Sequence, residues 1–490
     1  AEIAAEVERG LDFLAVELAD LPARQRSMYA VFDCTWQMMS PEERAVMATL
    51  SVFRGGFSRD AAEQVTGANL RLLLTLVNQS LLQRRPDGRF TLHELLRQFA
   101  AARRRESLDS EAAELAHTRY FARLVKTELD RLRDDTPVYV PDRLAGDSEN
   151  LYRAWFYAIE HSLAEEAADL AGGLYAVANA QGLQAEGFFN DGLQALARGG
   201  VAETHPAMLR LRLVAVVWLE GFRVAAVVKE ACLDLLPVAI RHGDPKLLFR
   251  LYCVLTITAG WSDDPQAVAW AEQAAGVARA HLDDVAVVVA AAYAENAQVT
   301  LGLSQPETVS RLEGHLAYLE VMPAPSRLIF EVIGALRNEA LARGDFEQAL
   351  AYGERLLNIA KGYRNMYGIS IAGYGLAETC ARLGRPAQAA RHLLDVLDWH
   401  VAVARVWQTI GCLKSICSYP EPLGFGGEAV AVLSMVYHHP EALRRDRDDI
   451  DAARPRLQAA LGNAAFAAAW ERGKTLTYDA AIAQTRAMLL

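Results

Sequence analysis

Along most of the chain, apolar residues recur every three or four positions in long runs separated by short polar breaks. That period predicts amphipathic helices. Residues 1–30 read as helix, broken at Leu21-Pro22-Ala23. Ser40-Pro41-Glu42-Glu43 opens another: a serine N-cap, a proline in the first turn, and acids at the positive end of the dipole. It extends to about Phe53 and stops at Arg54-Gly55-Gly56, where glycine reaches the left-handed cap. Ser58 caps a second helix closed by Gly67, and a third spans residues 68–78. The period then changes: Ser80–Arg84 and Arg89–Leu92 flank Pro86-Asp87-Gly88, which predicts a hairpin. Three helices and a hairpin is the order of a winged helix. Helix resumes from His93 to about Arg133, and Pro137, Pro141 and Gly146 mark a joint near 135–148.

Beyond the joint only helices are predicted. Gly182, Gly221, Gly260, Gly302, Gly344 and Gly384 follow one another at steps of 39, 39, 42, 42 and 40 residues, with Gly424 a further 40 on. Ala226, Ala349 and Ala389 each lie five residues after a ladder glycine. The pattern predicts a two-helix repeat, with glycine in the turn and a small alanine where the helices approach. Such units bury their apolar faces only by stacking.

A length of 490 residues exceeds one ordinary core, and 52% apolar with 23% charged residues fits a packed, ordered chain. The fold class that follows is mainly α: a winged-helix domain with a small β-hairpin, then a tetratricopeptide-like α-solenoid. The domains are expected at 1–30 (the end of a helical linker), 31–105 (winged helix), 106–148 (connecting helices) and 149–490 (repeats). The net charge of −11 disfavours nucleic acid and anionic membranes as general partners, although residues 40–105 carry a surplus of five positive charges. The six cysteines form no CxxC pair, so neither a zinc site nor a disulfide framework is expected. No apolar run reaches about 18 residues, the length of a membrane span. The chain starts without Met, directly on a helical pattern, and reads as a piece of something longer.

Several stretches together carry a resemblance. They are Arg26-Ser27, Phe32-Asp33 with Trp36, Ser40-Pro41-Glu42-Glu43-Arg44, Leu50 through Phe57, Ser80-Leu81-Leu82, and Arg89 through Ala100. The segment resembles the winged helix of bacterial STAND-class (AP-ATPase, NB-ARC-like) signalling ATPases. The later chain looks like the tetratricopeptide-like sensor of the same proteins, including the tail from Leu461 through Phe466, Trp470 and Gly473. The resemblance implies a cytoplasmic inducer-sensing and autoinhibitory module. In the parent protein an upstream nucleotide-binding domain would hold ADP or ATP with Mg, and the winged helix would bind that domain intramolecularly. This chain itself shows no Gly-x-x-x-x-Gly-Lys-Ser/Thr loop after a strand, so no cofactor and no enzyme activity are expected of it. Gly473-Lys474-Thr475 has Ala468 in place of the first glycine and follows a helical run.

Leu92-His93-Glu94 sits where the family carries its Met-His-Asp type motif. By resemblance His93 would sense the β-phosphate of ADP, and an imidazole N–H suits that contact. A plain helix cap is the alternative. In tetratricopeptide-like repeats, first-helix positions six residues before the turn glycine face the concave side: Asn296, Asn338 and Glu378. Arg250 and Tyr374 lie ten before, and Trp218 three before. These residues are the expected groove for an inducer, whether protein, peptide or small molecule. Two other readings stand beside this one. The first is DNA binding through Arg84, Arg85, Arg89 and Arg103–Arg105, disfavoured by the leucine-rich presumed recognition helix. The second is a passive protein-interaction scaffold.

Overall fold

The computed structural model describes residues 32–106, 110–132, 140–181, 187–219, 225–260, 262, 264–321, 328–362, 366–403, 406–418 and 426–490. The chain forms two compact units. The first comprises Ala1–Arg131, Val140–Leu174 and Arg198–Gly200; the second comprises Leu132–Tyr139, Tyr175–Ala197 and Val201–Leu490. The expected linker helix over 1–30 lies outside the described residues.

After a helical stretch over 32–38, the first unit contains α1 (Pro41–Leu50), α2 (Arg59–Thr66) and α3 (Leu70–Asn78). Ser40 and Glu43 close a reciprocal capping box on α1, Ser58 caps α2, and Asn69 caps α3. Strands β1 (Gln83–Arg84) and β2 (Phe90–Thr91) pair antiparallel, with Arg84 opposite Phe90. The hairpin is shorter than predicted, and Phe57 extends it on the other side. Phe57 and Phe90 exchange both main-chain bonds at 2.9 Å. One residue has no period to read, so this bridge was invisible in the sequence. The unit continues through α4 (Glu94–Arg105), α5 (Ser110–Leu132), α6 (Asp142–Ala145) and α7 (Ser148–Glu160), and takes in the first part of α8 (Ala164–Gln181). The rings of Phe53, Phe57, Phe90 and Phe121 make its aromatic centre, with His117 against Phe53 and Phe121. Residues on both sides of position 105 therefore meet in this aromatic centre, and the first unit continues to Leu174.

The second unit is a stack of helices: α9 (Phe188–Arg198), α10 (Pro206–Leu219), α11 (Ala225–His242), α12 (Pro245–Gly260), α13 (Gln266–His281), α14 (Asp284–Thr300), α15 (Thr308–Glu320), α16 (Leu328–Ala342), α17 (Phe346–Gly362), α18 (Met366–Arg382), α19 (Pro386–Val403), α20 (Val406–Cys417) and α21 (Gly427–His438). From α10 to α19 nearly every helix packs on the next, and α10, α12, α14, α16 and α18 also meet in series. This is the expected solenoid. Gly302, Gly344 and Gly384 occupy turns after α14, α16 and α18 with φ of +67°, +76° and +69°. A Cβ at any of them would meet nothing within 4 Å, so conformation and not crowding selects glycine there. Gly182, Gly221 and Gly424 lie outside the described residues. Ala349 and Ala389 are fully buried as the spacing required, but Ala226 is exposed.

Helices α22 (Arg444–Leu461), α23 (Asn463–Gly473) and α24 (Tyr478–Leu489) follow. Gly473 packs so closely on α21 that a Cβ would lie 2.1 Å from the Ala431 carbonyl oxygen. Trp470 stacks on Phe466, and the Arg454 guanidinium lies 4.3 Å from the Trp470 ring centre. The Gly-Lys-Thr sequence is thus a helix end: Gly473 provides contact, and Lys474 pairs with Glu471 at 2.7 Å.

Candidate functional site

Two places bear on function, one in each unit. In the first, His93 is the N-cap of α4. Its Nδ1 accepts from the Leu95 main-chain N–H at 3.3 Å. A nitrogen that accepts carries no proton, so a neutral ring holds its proton on Nε2. The side chain is exposed. The cap therefore fixes the tautomer and presents a donor outward.

The helix below it is held firmly. Arg97 grips Glu94 through two bonds of 2.8 and 2.7 Å and also donates to the Ser51 carbonyl. Arg54 donates through one nitrogen to the carbonyls of Ser51, Val52 and Phe53, at the C-terminal end of α1 where cations are favoured. Burial, together with Arg97 and Arg153 nearby, pulls the Arg54 pKa down to about 9. Arg104 is buried and donates to Glu114 at 2.7 Å and to the Ser51 hydroxyl. Glu114 also takes Arg153, so one carboxylate joins α4, α5 and α7. Sequence reasoning missed this set. Its only local sign was a basic residue just after a helix end.

Ion pairs take up three of the six arginines that DNA would need. Arg89 is locked to Asp147 and to the carbonyls of Gly56 and Gly146. Arg103 pairs with Asp33 and Glu106, and Arg104 is enclosed. Arg84, Arg85 and Arg105 remain exposed. Helix α3 buries Leu73 and Leu76 and presents Leu70, Arg71 and Leu74 outward, a face with one cation and no amide side chain among those three.

In the second unit the predicted groove residues separate. Trp218 is only 3% exposed, wedged edge-on against Tyr175 and Phe189, so it belongs to the core and not to an accessible surface. Helices α10 and α12 are apolar on nearly every side, and their burial on all faces follows. Arg250 is half-buried on α12. Tyr374 is half-buried, and burial raises its hydroxyl pKa well above the ordinary value, with the Cys412 thiol beside it. Asn338 is exposed on α16, and Glu378 is half-buried on α18. Arg337 brings these last two together: it donates to Asn338 Oδ1 at 2.6 Å, to Glu378 Oε2 at 3.2 Å and to the Gly375 carbonyl at 2.8 Å. Neither spacing nor resemblance pointed to Arg337. Asn296 is half-buried and lines a small notch with Thr256, Gly260 and Thr300.

The fold is similar to a solved structure of a Signal Transduction ATPase with Numerous Domains (STAND) protein with a tetratricopeptide repeat sensor, from Pyrococcus horikoshii. The TM-score is 0.50 at 14% identity, over 94% of this chain and 68% of that one. The likeness is one of fold. No protein-family model and no curated protein matches the chain. Among the described residues no helix is long and apolar enough to cross a membrane, and no group of three or more metal-ligating side chains is found.

Proposed function

We propose that this chain is the inducer-sensing and autoinhibitory module of a STAND-type signalling ATPase. The helical stack would bind a ligand or partner protein. The winged-helix unit would hold the ADP-bound resting state of an upstream nucleotide-binding domain, which would carry the nucleotide and Mg in the parent protein. Ligand binding would shift a two-state equilibrium through its differential affinity for the released state. The observation that carries this reading is the exposed His93, whose cap on α4 turns its protonated nitrogen outward. An imidazole N–H donor so placed suits a phosphate oxygen. The similarity to a STAND protein with a repeat sensor supports the same architecture.

The test is ADP affinity of the parent protein, intact and with His93→Ser. Serine keeps a capping oxygen and removes the ring. A loss of ten-fold or more for ADP with ATP affinity spared supports the resting-state role. Unchanged ADP affinity in the folded variant removes it from His93.

A further inference from the structure

Among the described residues Arg54 has no ion-pair partner, although the arginines around it do. Arg97 holds Glu94 through Nε and Nη2 at 2.8 and 2.7 Å, and Arg153 holds Glu114 through the same two atoms at 3.2 and 2.7 Å. That edge of a guanidinium carries two parallel N–H bonds, a fork that matches the two oxygens of a carboxylate or a phosphate. In Arg54 the edge is unused. Only Nη1 donates from the side chain, to the carbonyls of Ser51, Val52 and Phe53, and among the described residues Nε and Nη2 have no partner. Capping α1 explains Nη1, and a lysine would cap as well. It does not explain the fork.

The edge is accessible and fixed in place. Arg54 is half-buried, but its Nε and Nη2 are not shut away from solvent as the Nε atoms of Arg89 and Arg454 are. The three carbonyls pin the guanidinium by its other nitrogen. The Ser51 oxygen also accepts from Arg97 Nη1 at 3.3 Å, so two guanidinium groups meet at one oxygen. Arg104 shares Glu114 with Arg153. Four guanidinium groups are thus balanced by two carboxylates, Glu94 and Glu114. The exposed Glu149 lies over Gly55, where a Cβ would be 3.0 Å from its carboxyl group, but it makes no ion pair with Arg54. Burial, and then the like charges of Arg97 and Arg153, pull the Arg54 pKa down to about 9. An anion at the unused edge would offset that repulsion.

We infer that the Nε–Nη2 edge of Arg54 binds an oxyanion, one oxygen accepting from each nitrogen. Two sources share this chemistry: a phosphate group and a carboxylate. The site stands apart from the phosphate contact proposed for His93 and does not rest on the sensor reading.

The experiment follows the Arg54 Nε–H and Gly55 amide resonances in the 490-residue chain at pH 6.5, where Arg54 carries its proton. The probes are sodium phosphate, sodium acetate and sodium chloride at matched ionic strength. Saturable shifts are expected with phosphate or acetate and not with chloride. Tighter binding of phosphate assigns the site to a phosphate group, and tighter binding of acetate to a carboxylate. Arg54→Lys keeps the charge and a capping donor but loses the fork, so binding read at Gly55 should weaken at least ten-fold. If that variant fails to fold, the Arg54 Nε–H resonance decides alone. The inference is overturned by no saturable shift with either oxyanion, by chloride shifting the same resonances equally, or by Arg54→Lys binding normally. None of these outcomes depends on ADP, so the site and the His93 role fail separately.

Discussion

Arg89 and Asp147 form a two-point ion pair across the first unit, with Nη1 donating to Oδ2 and Nη2 to Oδ1 of the carboxylate. Arg89 also donates to Gly56 and Gly146, and Asp147 accepts from Asn150, which in turn donates to Gly56. The hairpin, the glycine loop after α1 and the start of α7 are thus tied at one point.

Removing one partner strands the other. Asp147 is only 4% exposed in its side chain and Arg89 17%. Arg89→Ala should therefore destabilise the first unit by about 3–5 kcal/mol, the usual effect of breaking a buried pair. Arg89→Lys should rescue little, because an ammonium cannot make the parallel bonds. Urea unfolding followed by the near-ultraviolet signal of the first unit checks both; a lysine variant as stable as the parent would show that charge alone suffices.

Stability should fall with acidification through His117. It is fully enclosed, and burial holds its pKa down, to about 4 against the ordinary 6.5. The folded state thus resists a proton that the unfolded state accepts. Unfolding free energy is complete above about 6.5, falls between 6.5 and about 4, and levels off below that as far as this group is concerned. The size is on the order of 3 kcal/mol by the usual conversion. His400 is depressed to about 4 by burial and adds in the same direction. His117→Phe keeps a ring against Phe53 and Phe121 and should flatten the pH 4–6.5 slope. An unchanged slope would assign the acid sensitivity elsewhere.

Arg337 and Gly375 should behave as one device. A Cβ on Gly375 would lie 2.6 Å from the Arg337 guanidinium and evict it. Gly375→Ala and Arg337→Ala should each cost about 1–3 kcal/mol, and the double variant no more than the worse single one. Strict additivity in thermal unfolding would show that the two do not share an interaction.

Two glycine substitutions should differ for separable reasons. Gly473→Ala drives a Cβ into the Ala431 carbonyl at 2.1 Å, and either α23 or α21 must shift. Overpacking of this kind costs about 1–3 kcal/mol. Gly344→Ala meets nothing but must hold φ at +76°, so its cost is backbone strain alone, about 1–2 kcal/mol. Gly344→Asn should recover part of it, since asparagine tolerates that region, whereas Gly473→Asn should be worse than alanine. Differential scanning calorimetry of the four variants distinguishes the cases.

Much of this architecture was legible because it is set locally. Ser40 and Glu43 box the first turn of α1 from three residues apart, and Gly302, Gly344 and Gly384 mark turns because each needs a conformation that other residues resist. The 3.6-residue period pointed to helix, its change around Pro86-Asp87-Gly88 to the hairpin, and the recurrence of glycine at about one repeat length to the solenoid. His93 as a helix cap was likewise readable from its neighbours.

The tertiary structure alone decided which polar groups meet. Asp147 reaches Arg89 across 58 residues, and the Arg54 main-chain N–H donates to the side-chain oxygen Oδ1 of Asn150 from 96 residues away. No period encodes such pairs, because a side chain's partner depends on how separate helices fall together. The same cause moved Trp218 from the expected groove into the core and made Arg337 the link between Asn338 and Glu378. Sequence spacing assigns a phase on a helix; only packing says whether that phase meets solvent, an ion partner or another ring.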